Sequence, residues 1–233
     1  MAVGLFEKKL MDLREELVEM GRDVLAMLKN AGEALTAFDR DLARAVMRAD
    51  REVNDLENRV VNKAISLIAT NQPVAGDLRF LASSLRMASE LERIGDLGSN
   101  LAKRTIKLIK MEKEGASSAP LPDRLPLMVE KALHMLEMAV TAFESNDAEL
   151  ARKAIAYDDE IDELYKLIRD EALAQVYTDG RRALWGFEVC ILTYHIERLG
   201  DHATNVAEET VYMAQGKTIR HNHYGPEGPQ NGW

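Results

Sequence analysis

Glu92-Arg93-Ile94-Gly95-Asp96 returns as Glu197-Arg198-Leu199-Gly200-Asp201, and each run is followed four residues later by an asparagine, Asn100 or Asn205. The offset, 197 − 92, is 105 residues; a second match, Leu42-Ala43-Arg44 through Asp50 on Leu150-Ala151-Arg152 through Asp158, is offset by 108. The chain is therefore an internal duplication. The three-residue difference fits one shorter loop, with Asn71-Gln72-Pro73-Val74-Ala75-Gly76-Asp77 in the first copy facing Asp179-Gly180 in the second.

Working outward, apolar residues recur at three- and four-residue steps, the mark of amphipathic helices. Leu5, Leu10, Leu13, Leu17, Met20, Val24, Leu28 and Leu35 predict a first helix over about 5–37. Asp39 or Asp41 caps a second, which ends near Asn71 before Pro73, and Asp77 opens a third that fades at Lys113-Glu114-Gly115. The Gly/Ser/Pro-rich stretch 115–122 reads as the linker between copies. A fourth helix is predicted from about Asp123 to Glu144, a fifth from Asn146 or Asp147 to about Tyr177, and a sixth to about Gln215. The expectation is an all-α chain of two repeated three-helix bundles, six long helices in all: repeat 1–114, linker 115–122, repeat 123–216 and a disordered tail over 217–233, where periodicity ends.

Composition agrees: 46% hydrophobic residues with only 6% aromatic and 30% charged is a long-helix balance with enough apolar surface for a core. A net charge of −9 argues against nucleic-acid binding, which needs clustered Lys and Arg. The single cysteine, Cys190, cannot form an internal disulfide and fits a reducing compartment. No signal-peptide pattern or transmembrane-length apolar run occurs, so a soluble, cytoplasmic chain is expected.

The chemistry lies in paired acids. On a helix, residues i and i+4 share a face, as Glu92 and Asp96 do, and Glu197 and Asp201. The second and fifth helices carry matching pairs at equivalent positions, Asp50 with Asn54 and Asp158 with Asp162. Carboxylates at this spacing repel unless they share a cation, and such oxygen clusters suit hard or borderline metal ions. Projection of the third helix puts Glu92, Asp96 and Asn100 roughly 140° to 220° from its core stripe, which predicts shallow, outward-facing grooves. The bland alternative is a solvated charged face. Asn100, Asn205 and His202 are possible additional donors. Gly95 and Gly200, costly inside helices, need either a close helix approach or room for a ligand. A ferritin-like di-iron site fails because the positions three after Glu92 and Glu197 are glycines, where histidine is required. No phosphate-binding loop or nucleophile elbow appears.

The duplicated Glu-Arg-Ile/Leu-Gly-Asp-x-x-x-Asn and the Asp-x-x-x-Asp/Asn motifs, over Leu5 to Gln215, resemble the PhoU family of phosphate-uptake regulators. That resemblance implies a non-enzymatic, cytoplasmic negative regulator of the phosphate-starvation response that links a phosphate ABC transporter ATPase to a sensor histidine kinase and acts as a homodimer. It also implies bound divalent or ferric ions, with iron, zinc, magnesium and manganese all open. The implied ligands are Asp158, Asp162, Glu197 and Asp201 in the second copy, and Asp50, Asn54, Glu92 and Asp96 in the first. Because Asn54 stands where Asp162 supplies a charge, the first site is expected to be the weaker. The alternatives are an accessory protein of another phosphate transporter, or a metal-dependent carboxylate-bundle enzyme.

Overall fold

The structure, a computed structural model, describes residues 2–115 and 119–219, with side chains from residue 4 onward. Linker positions 116–118 and most of the expected tail, 220–233, lie outside the described residues. Among the described residues seven α-helices follow one another: α1 (Ala2–Thr36), α2 (Arg40–Asn71), α3 (Ala75–Lys113), α4 (Leu125–Ser145), α5 (Ala148–Ala156), α6 (Asp158–Thr178) and α7 (Ala183–Gln215), with a 3-10 turn at Gly180–Arg182. No strand occurs among the described residues, and none of the helices is long and apolar enough to cross a membrane.

The predicted first-helix stripe is buried from Leu13 onward, while Leu10 is partly buried and Leu5 is exposed. Leu13, Leu17, Met20, Val24, Leu28 and Leu35 of α1 join Val46, Val53, Leu56, Val60 and Leu67 of α2 and Leu81, Met87, Leu91 and Ile94 of α3 in one core. Each such side chain contributes about 1.5–3 kcal/mol. The two copies start their second helices alike. Asp39 accepts from the amides of Asp41 and Leu42, and Asp147 from those of Glu149 and Leu150, in each case after a residue with positive φ, Phe38 or Asn146. These caps satisfy amides that the first helical turn leaves without partners.

One predicted helix is broken. The expected fifth helix turns at Tyr157 and restarts at Asp158 as α6, whereas its counterpart α2 runs straight through. Two causes act together. Asp158, Asp159 and Glu160 all fall in the first turn of α6, where the helix dipole favours acids. Tyr157 is also held from α4: the Lys131 ammonium donates to its hydroxyl at 3.3 Å and lies 5.0 Å from its ring centroid, and His134 packs edge-on at 5.3 Å.

The two copies meet along α3 and α7. Arg86 pairs with Glu209 at 3.1 Å, Asn205 donates to Glu90 at 3.1 Å, and Arg104 pairs with Glu188 at 3.1 Å, so the chain numbers rise on one helix as they fall on the other. The helices are antiparallel. Glu188 is 0% exposed and also takes Lys107 at 2.5 Å, which gives its buried charge two cations. The packing puts the motif residues of α3 and α7 at mid-helix, flanked by α2 and α6.

Candidate metal centres

Each acidic motif lies where a long helix packs against the second helix of its own copy. In the second copy, burial is the largest influence on Glu197, followed by the charges of Asp201 and Asp162; Arg198 opposes them and Asp158 adds to them, leaving its carboxyl at about 7. The four predicted ligands thus form one electrostatic cluster between α6 and α7. Burial also raises Asp201, against Arg198 at 3.4 Å. Glu197 Oε2 is buried without a hydrogen-bond partner.

The first copy repeats the pattern between α2 and α3. Burial, then Asp96, raises Glu92; Arg93 opposes, and Glu57 and Asp50 add to the rise. Burial and Asp96 likewise raise Asp50, against Lys103 and Ser99. Asp50 Oδ1 and Asn54 Oδ1 are buried without partners. Glu57 was missing from the predicted set. Its counterpart at 57 + 108 is Tyr165, so no repeat marks it, and with it the first cluster also counts four carboxylates.

The outward placement holds for one acid of each motif: the side chains of Asp96 and Asp201 are 42% and 40% exposed. Glu92 departs from it at 17% exposed, because α3 packs against α1, α2 and α7, and the direction away from one stripe leads into another interface. Two of the additional donors are engaged elsewhere. His202 Nδ1 stands 2.7 Å from Glu90 Oε2, which Asn205 also reaches, so both belong to the seam between copies. Asn100 accepts from Lys103 at 3.1 Å. The glycines serve close approach: a Cβ on Gly95 would stand 3.1 Å from Val53, and one on Gly200 3.2 Å from the equivalent Ile161 and 2.9 Å from Asp158 Oδ1.

The chemistry fits a cation in both grooves, since buried oxygens without donors and mutually raised carboxylates are what a shared positive charge relieves. Among the described residues no three His, Cys, Asp or Glu side chains converge as a ready coordination shell. The carboxylates line a groove, and a shared ion requires them to rotate inward.

Comparison with known proteins agrees with both copies. The model of the PhoU domain matches twice, over residues 17–105 and 125–210. The phosphate-specific transport system accessory protein PhoU homolog of Rhizobium meliloti is 36% identical over 92% of this chain and 89% of its own length. PhoU homolog 1 of Methanothermobacter thermautotrophicus is 32% identical over 90% and 94%. The crystal structure of PhoU from Pseudomonas aeruginosa overlays with a TM-score of 0.86 at 31% identity, covering 91% of this chain and 100% of that one. The regulatory protein PhoU from Streptococcus pneumoniae gives 0.82 at 26% identity, over 92% and 99%. With its duplicated motif, its helical repeats, the family model matched in both copies and these relatives matched over most of their length, the chain belongs to the PhoU family.

Proposed function

We propose that the chain is a non-catalytic accessory protein of a phosphate-specific transport system, and that it restrains the phosphate-starvation response by coupling the transporter ATPase to a sensor histidine kinase. The observation that carries this reading is similarity along both repeats to proteins named for that accessory role. In this reading the protein works in the cytoplasm as a homodimer.

Divalent or ferric ions complete the sites. Asp158, Asp162, Glu197 and Asp201 would hold one, and Asp50, Asn54, Glu92 and Asp96, with Glu57 beside them, the other. A bound cation would supply positive charge against which these carboxylates stay ionised. The residues' own part is to tie α6 to α7 and α2 to α3 when drawn inward, which makes ion occupancy a means of stiffening each copy. Deletion of the gene tests the regulatory role: phosphate-starvation reporters should stay on in phosphate-rich medium and be silenced by the restored wild-type gene. Unchanged reporter expression would refute it.

A further inference from the structure

The duplication supplies an internal control for the second centre. At an offset of 108 the cap Asp39 falls on Asp147 and the positive-φ Phe38 on Asn146, while the buried Leu28, Ala31 and Leu35 of α1 fall on the buried Leu136, Ala139 and Phe143 of α4. In that register Lys131, His134, Tyr157 and Glu160 correspond to Asp23, Ala26, Ala49 and Glu52. The second copy has a cation and two rings where the first has an acid and two alanines. Lys131, 22% exposed, spans the break between α5 and α6: its ammonium donates to the Tyr157 hydroxyl at 3.3 Å and to Glu160 at 2.5 Å. One side chain of α4 thus grips both the residue at the break and the first turn of α6.

The backbone differs where the residues do. At the break the ladder tightens to three-residue steps, the Tyr157 amide donating to the Ala154 carbonyl at 3.1 Å and the Glu160 amide to the Tyr157 carbonyl at 3.3 Å, whereas α2 passes through Ala49 without interruption. The ligand that follows the break differs as well. Asp158 Oδ1 lies 2.9 Å from the point that a Cβ on Gly200 would occupy. At Gly95 the three nearest atoms all belong to Val53, the counterpart of Ile161, at 3.1 to 3.8 Å, so Asp50 comes no closer than 3.8 Å. Only in the second copy does the leading aspartate rest on the glycine that separates Glu197 from Asp201.

On the reading of the second acidic cluster as an ion centre, we propose that Lys131 is a positioning residue for it: by holding the break at Tyr157, it seats the Asp158 carboxylate against Gly200, within reach of the same divalent ion as Glu197 and Asp201. The first copy lacks this clamp, so the two centres differ in how a ligand is held as well as in ligand charge. The sign of the effect separates position from simple electrostatics. An ammonium near the centre repels a cation, so through its field alone the loss of Lys131 would tighten ion binding. Through position the loss weakens it, and partners behind metal ligands typically contribute about 10- to 100-fold in affinity.

Manganese titrated by calorimetry into the full chain carrying Glu92→Gln with Asp96→Asn reads the second centre. In that background Lys131→Gln should weaken binding about tenfold or more, and so should Tyr157→Ala, which installs the residue of the first copy. Lys131→Arg, which keeps the charge and the reach, should bind close to the level of the background chain. In the converse background, Glu197→Gln with Asp201→Asn, Lys131→Gln should leave manganese binding at the first centre unchanged, which a general loosening of the fold would not. Circular dichroism verifies helicity throughout. Unchanged or tighter binding in Lys131→Gln, equal weakening in Lys131→Arg, or parallel losses at both centres would overturn the positioning role while the ion-centre reading stands. Absence of manganese binding at the second centre with Lys131 intact would overturn both.

Discussion

Glu197→Gln should stabilise the protein at pH 8 and leave it almost unchanged at pH 4, below the ordinary carboxyl value, when a chelator is present. The substitution keeps the shape of the side chain and removes its charge. The folded-state carboxyl sits at about 7, above the ordinary 4.5, because burial and the charges of Asp201, Asp162 and Asp158 disfavour ionisation. The native state thus holds the proton more tightly than the unfolded chain, and stability falls as pH rises from 4.5 to 7. At 1.36 kcal/mol per pH unit the ceiling on this cost is about 3.4 kcal/mol. Glu197 remains partly open to water, and screening reduces the figure to about 1–2 kcal/mol. For a chain of this size that corresponds to a rise in Tm of about 3–6 °C. Thermal denaturation by circular dichroism at both pH values measures it, and adding a divalent ion should then raise the Tm of wild type more than that of the variant. An equal gain at pH 4 and pH 8, or a loss at pH 8, would refute the idea that the cluster stores repulsion.

Glu188→Ala should cost about 1.5–3 kcal/mol in urea denaturation, because it removes the buried partner of Arg104 and Lys107 at the seam between copies while leaving those cations partly open to water, and Glu188→Gln should cost less. Gly200→Ala should lower stability by about 1 kcal/mol despite the better helix propensity of alanine, as the new methyl meets Ile161 and Asp158; Gly95→Ala, facing Val53 alone, should be milder by thermal denaturation. In calorimetric titration with manganese, Glu57→Gln should weaken the first centre, and Asn54→Asp should strengthen it. With Glu57 counted, the two wild-type centres should differ less in affinity than Asn54 alone implies.

The repeated Glu-Arg-x-Gly-Asp made the architecture readable, because a duplicated pattern fixes helix pairing twice over and each loop is checked against its counterpart. Asp39 and Asp147 were legible as caps for the same reason. Three features were not, each for a different physical reason. Glu57 has no acidic counterpart at Tyr165, so a search by symmetry passes over it; only the packing of α2 against α3 brings it to Glu92. The break at Tyr157 carries no Gly or Pro, and its one local signal, the acidic run Asp158-Asp159-Glu160, is ambiguous in a chain that is 30% charged. The decisive contacts come from Lys131 and His134, remote in sequence. The covering of Glu92 was not legible because a helical projection assumes one buried side, while α3 is packed against α1, α2 and α7.

Fully solvated acids would have ordinary acidities and weak claims on a cation, whereas Glu92 and Glu197, partly withdrawn from water beside other carboxylates, hold their protons more tightly. The buried oxygens of Asp50, Asn54 and Glu197 leave each copy with an unmet demand for positive charge at the middle of its longest helix. Arg93 and Arg198 answer it in part from the rim, at 3.8 Å from Asp96 and 3.4 Å from Asp201. Their side chains are substantially exposed, so water screens what they supply. A small cation between the carboxylates would not share that weakness, and its arrival would be felt along α3 and α7, the two helices that join the copies. If an ion binds as proposed, a change in its occupancy would act first on the seam between the repeats, where Glu188, Arg86 and Glu90 hold α3 against α7.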